Sequence, residues 1–208
     1  MRLFPAVKVA AILGALALCV APTGATAVWQ FNLAEMTQRA HKIYVGTVRS
    51  VTADTVAVGG GQLSILVYRL SVEEDLLGET ALVKGARLAE IRMLGKQRQV
   101  RAGNLQSLNA LPAMPEMAVG QSYLVFATAP SAIGLSTMVG LGQGCFKLYG
   151  QGDDRMAVNE ANNAGLFRDM VLPAPSVAAA RTYGPQAAAG PMPYAALRAL
   201  VVNLLEAR

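Results

Sequence analysis

Histidine and cysteine are almost missing from this chain. Its 208 residues include one His and two Cys, and charged residues make up only 15%. Zinc centres need three or four imidazole, thiolate or carboxylate ligands, so a His- or thiolate-rich site within one chain is excluded. Cys19 falls in an apolar leader, which leaves Cys145 alone in the remainder. A single thiol forms no internal disulfide, so the core must hold the fold without staples. Aromatic residues are scarce at 6%, and the net charge is a mild +5. Neither is the footprint of a nucleic-acid binder. Beyond the leader, no run approaches 18 consecutive apolar residues, so no transmembrane helix is expected there.

The leader itself is well marked. Arg2 and Lys8 make a positive start, Val9 to Ala21 is almost unbroken apolar sequence, and Ala25-Thr26-Ala27 is a small-x-small site. These are the three parts of a secretory signal peptide, with cleavage expected after Ala27 and a periplasmic or secreted destination. Leu16-Ala17-Leu18-Cys19 makes a poor lipobox, because Leu18 stands where a small residue is wanted. Cleavage removes Arg2 and Lys8 and lowers the net charge by two.

The rest reads as all-β with little helix. Asn32 and Glu35 are spaced as a capping box, with Phe31 and Met36 as a possible staple, for a short helix running to about His41. Ile43 to Val48 is rich in β-branched and aromatic residues. A turn at Gly59-Gly60-Gly61 precedes a strand from about Leu63 to Val72, and Leu76-Leu77-Gly78 ends it. Further strands are expected at Ala89–Met93, Ser122–Ala127, Thr137–Leu148 and Arg155–Val158. Residues 172–193 form a loop rich in Pro, Ala and Gly. Residues 194–208 place Tyr194, Leu197, Leu200, Val201, Leu204 and Leu205 at helical spacing, an amphipathic helix that docks on its own domain or on a partner. The expected organisation is a signal peptide (1–27), a β-barrel domain with a leading helix (28–171), the loop (172–193) and the terminal helix (194–208). Short antiparallel strands with glycine turns suit a small barrel or sandwich.

The order of these features resembles a group of secreted bacterial proteins whose function is not established. The matching pieces are Ile43-Tyr44-Val45-Gly46-Thr47-Val48, then Leu76-Leu77-Gly78, then Gly120-Gln121-Ser122-Tyr123-Leu124-Val125-Phe126, then Gly140-Leu141-Gly142-Gln143-Gly144-Cys145-Phe146. The same strand logic is distantly similar to the netrin-like module of tissue inhibitors of metalloproteinases. That resemblance implies an OB-type barrel. The inhibitors' zinc-chelating N-terminal cysteine has no counterpart at Val28-Trp29, so their mechanism is not carried over.

Few constellations could carry chemistry. Cys145 and His41 are the one possible thiol–imidazole pair. A nucleophilic cysteine needs a base or a helix N-terminus to favour its thiolate, whereas Cys145 reads as a strand residue and His41 as a helix end. A buried thiol and a helix-capping histidine are therefore the preferred reading. Ser136 lacks the closing glycine of a nucleophile elbow. Asp153-Asp154 beside Asn159 could hold calcium, though an acidic turn is commoner. Gly140, Gly142 and Gly144 suit a bulged or sharply bent strand, or a shallow groove where Gln143, Asn162 and Asn163 bond a ligand. Lys84, Arg87, Arg92, Lys96, Arg98 and Arg101 fall within 18 residues with Glu90 as the single acid among them. That is a solvated hairpin face, or a surface for an acidic partner such as anionic headgroups or a co-exported protein. Glu73, Glu74 and Asp75 are successive strand residues and read as solvated.

The expectation is an exported, non-enzymatic binding or accessory protein without a cofactor. Its partner would be another exported protein, such as an enzyme it modulates. The alternatives are a cysteine-dependent hydrolase using Cys145 and His41, or an envelope assembly component.

Overall fold

The first helix, α1 (Leu33–Arg39), begins where the capping box puts it. The Asn32 side chain accepts from Glu35 N–H and the Glu35 carboxylate accepts from Asn32 N–H, each at 2.9 Å. Two orphan amides are satisfied reciprocally. The helix stops at Arg39, before His41, because Ala40 is already extended. These details come from a computed structural model that describes residues 29–95, 114–170 and 189–208. The leader, Lys96, Arg98, Arg101 and most of the 172–193 loop lie outside the described residues.

Strands β1 (Lys42–Val58) and β2 (Gly61–Leu77) pair antiparallel along nearly their whole length. Both run well past the limits expected from hydrophobicity alone, Ile43–Val48 and Leu63–Val72. The cause is the turn. Gly59 and Gly60 both take positive φ, +57° and +79°, which a two-residue primed turn demands and which glycine adopts without strain. That turn sets the register for β-branched but exposed residues such as Thr52, Thr55 and Val58. The β1–β2 register shifts at three places between Ile43 and Ser50, and such bulges bend a strand and increase its twist.

The remaining strands are β3 (Ala81–Val83), β4 (Ala86–Leu94), β5 (Ser122–Ala127), β6 (Cys145–Tyr149), β7 (Met156–Val158) and β8 (Met192–Pro193). All pairings are antiparallel, in the order β3-β4-β2-β1-β5-β6-β7-β8. The all-β class with little helix is as expected, and among the described residues the sheet is not closed. Ser136 N–H donates to the Arg92 carbonyl at 2.9 Å, and Met138 bridges Ala127. The segment after β5 thus touches both β4 and β5.

Each face of the sheet carries its own core. Ile43, Val45, Leu124, Phe126, Phe146 and Leu148 pack with α1 and the terminal helix α2 (Tyr194–Glu206). Tyr44, Val48, Tyr68, Leu70, Ile91, Tyr123, Val125 and Cys145 form the second cluster. Strand β5 supplies both, with Leu124 and Phe126 to one and Tyr123 and Val125 to the other. Its unbroken apolar run follows from being covered on both faces. In α2, Leu197, Leu200 and Val201 are buried, so this helix docks on its own domain. No helix among the described residues is long and apolar enough to cross a membrane.

An ionic anchor adds to the α2 packing. Arg198 and Glu74 pair through Nε at 2.9 and 3.0 Å and also through Nη2. Tyr194 donates its hydroxyl to the same carboxylate at 3.1 Å. The Arg198 hydrogen bonds hold the Glu74 pKa below its ordinary 4.5. A depressed carboxylate contributes stability that is full above that value and lost as pH falls through its folded pKa. Glu160 has the opposite sign, since burial raises its pKa and protonation relieves the cost. Stability is therefore expected to fall on acidification below pH 4.5 through Glu74, with Glu74→Gln flattening that limb. Unfolding midpoints of the two proteins against pH check it.

Candidate functional site

The glycine-rich segment is neither a bent strand nor an open groove. Leu141–Gly144 forms a 3-10 turn, and strand β6 begins only at Cys145, so the strand expected from Thr137 to Leu148 is corrected. Close approach explains the glycines. A Cβ on Gly142 would lie 2.6 Å from Glu160 Cδ, and one on Gly144 would overlap the Val139 carbonyl oxygen. Gly140 and Leu141 both take positive φ, +65° and +58°.

Gln143 is bonded to the chain's own leading segment. Its Oε1 accepts from Phe31 N–H and its Nε2 donates to the Trp29 carbonyl, both at 2.9 Å. The side-chain amide thus pairs with residues 29–31 as a neighbouring strand would. Arg168 completes the clamp by donating to the Gln30 carbonyl at 2.6 Å. Asn159 donates to the Gln143 carbonyl at 2.9 Å, and Asn163 donates to the Ala157 and Gly190 carbonyls at 3.0 and 2.8 Å. Asn162 takes a positive φ of +53° in the turn that follows β7. Of the polar side chains expected to bond a ligand, Gln143 and Asn163 therefore fasten loops, while Asn162 is exposed. Gln143→Ala is expected to cost about 1–3 kcal/mol, because the part-buried Phe31 amide loses its partner. Urea unfolding, with faster exchange of the Phe31 amide, checks it.

The structure does not bring Cys145 and His41 into one site. Cys145 is buried in the second cluster, while His41 is exposed at the end of α1. Burial pushes the thiol pKa up, and the Glu160 charge adds to that. A nucleophile needs the reverse. Ser136 donates its backbone N–H to the Arg92 carbonyl of β4. Asp153 and Asp154 lie in a 3-10 turn, Gly152–Asp154, whereas Asn159 is turned toward Gln143 and Asn163. Among the described residues, no three His, Cys, Asp or Glu gather as metal ligands.

The three successive acids are not simply solvated, which corrects that expectation. Glu73 accepts from Thr47 at 2.9 Å and from Arg155 at 3.0 Å. Burial acts to raise its pKa, and these hydrogen bonds outweigh it and leave the value lowered. Glu74 anchors α2. Asp75 accepts from Thr80 at 3.0 Å and faces Arg87 at 3.9 Å. Sequence reasoning missed these roles because, Thr80 apart, the partners are remote in the chain or on other strands.

The basic stretch is divided. Arg92 reaches Asp54 at 3.5 Å, and its Nε is buried without a hydrogen-bond partner. Arg87 is half-exposed beside Asp75. Lys84 sits at the tip of the β3–β4 hairpin, where Lys84 and Gly85 take positive φ of +50° and +82°. Next to it, Leu82 and Val83 are 70% and 45% exposed. The cations stand out in the sequence and this apolar pair does not; a β-prone Ala-Leu-Val before Lys-Gly is its available signal. A cavity of about 20 Å³ beside Tyr68, Met93 and Met114 has room for no more than one water.

No family model, curated protein or solved structure matches this chain.

Proposed function

We propose that the protein is an exported, non-enzymatic binding protein that docks on another exported protein through its β3–β4 hairpin. The observation that carries this reading is the exposure of Leu82 and Val83 beside Lys84 and Arg87 on a short edge hairpin. Exposed apolar side chains lose water on docking, and the flanking cations favour an acidic partner surface. Modulation of a co-exported enzyme fits such a role. In this reading the sheet is a partly open barrel of OB type. Support comes from the bulges in β1 and from the Ser136–Arg92 and Met138–Ala127 contacts beside β4 and β5.

The buried thiol and the bonded polar side chains favour this reading over a cysteine hydrolase. Affinity capture from the protein's own envelope fraction, comparing wild type with a Leu82→Ser/Lys84→Glu variant, tests it. The reading expects a retained protein whose recovery drops at least about tenfold in the variant and weakens with salt. Equal recovery by both proteins would overturn it.

A further inference from the structure

We infer that two copies of this chain associate by antiparallel pairing of the outer edges of their β1 strands. The observation is independent of the β3–β4 hairpin. Strand β5 covers β1 only from Lys42 to Thr47, and Val48 bonds Gly120 and Gln121. From Arg49 to Val58, β1 has β2 on one side and no described strand on the other. The β1–β2 arm also outruns β4, whose pairing with β2 ends at Ile65.

The two-residue turn fixes which backbone groups face outward. Val58 and Gly61 flank it and exchange hydrogen bonds, so alternation turns the groups of Val51, Ala53, Thr55 and Ala57 away from β2. The Thr55 amide agrees, since it donates to the Asp54 side chain at 2.8 Å. Such an edge is a template for another strand, and chains ordinarily blunt it with lysine, proline or a bulge. Val51–Val58 has neither lysine nor proline, and the β1 register shifts lie before it. Asp54 is the sole charge between Ser50 and Leu66, and Arg92 faces it.

A second copy is the occupant that this neutral edge fits, because the segment is compatible with itself. Centred on Thr55, the outward groups of Ala53, Thr55 and Ala57 meet those of Ala57, Thr55 and Ala53. Asp54 then lies opposite Val56, and no like charges oppose. A register that sets Asp54 against Asp54 is disfavoured. Centring on Ala53 would drive each arm's tip toward Gly120 and Gln121, which already occupy Val48. The contact is two-fold symmetric and closes on itself.

Sedimentation of the purified protein over a concentration series tests this, together with Thr55→Pro and Thr55→Cys. Proline removes an amide that faces away from β2, so the hairpin ladder survives. The expected result is a wild-type dimer, with Thr55→Pro weakening association at least tenfold at unchanged circular dichroism. Self-paired residues across such a contact lie about 5.5 Å apart, so Thr55→Cys is expected to crosslink on mild oxidation, while Gln62→Cys on β2 is not. A wild-type monomer at every concentration, or a folded Thr55→Pro protein that dimerises equally well, overturns the inference. Should Thr55→Pro fail to fold, absence of the Thr55→Cys crosslink overturns it instead.

Discussion

Phe146→Ala is expected to lower stability by about 3–5 kcal/mol, the usual cost of removing a fully buried aromatic ring. Phe146 is completely buried on β6, and its ring centroid lies 5.7 Å from that of Phe126 at a 54° tilt. The deletion therefore removes apolar burial and an aromatic contact together. The surrounding side chains come from β1, β5, α1 and α2, which are fixed by other contacts and can collapse only partly into the space. Chemical denaturation should show an earlier midpoint with little change in slope, which marks lost stability rather than a changed unfolded state.

Gly144→Ala is expected to cost about 2–4 kcal/mol, at or somewhat above the usual range for overpacking. The added methyl would run into the Val139 carbonyl oxygen and lie 3.1 Å from the Val139 nitrogen. Both are backbone atoms, and Val139 N–H is itself bonded to the Phe126 carbonyl at 2.8 Å. Relief requires moving that bond or lifting the 3-10 turn away from β5. Gly142→Ala is expected to be milder. Its obstacle is the Glu160 side chain, whose flexible carboxylate can swing away. Thermal melts of the two variants should rank them in that order, and the reverse order would mean that the turn moves more easily than Glu160.

Local rules written in neighbouring residues were legible in the sequence. Asn32 and Glu35 announced a capping box, the glycine run announced the β1–β2 turn, and the leucine spacing announced α2. Strand ends were less legible. Beyond Val48 no residue of β1 is fully buried, so hydrophobic patterning falls silent although hairpin pairing continues to Val58. β3 and β8 are too short to show a period. The candidate site was hardest, because its meaning depends on distant partners. Gln143 reaches back 112 residues to Phe31, and Glu74 reaches 124 residues forward to Arg198. No spacing rule shows such contacts in advance. Only the structure shows that Gln143 and Asn163 hold loops, that Glu74 holds a helix and that Cys145 lies in the core.

The placing of the thiol in the core is most directly tested by following the reaction of Cys145 with a thiol reagent at neutral pH in the folded and the urea-unfolded protein. The buried thiol with its raised pKa is expected to react far more slowly when folded than when unfolded, at a rate that tracks opening of the fold. Rapid, stoichiometric labelling with the fold intact would contradict this and make Cys145 a reactive centre.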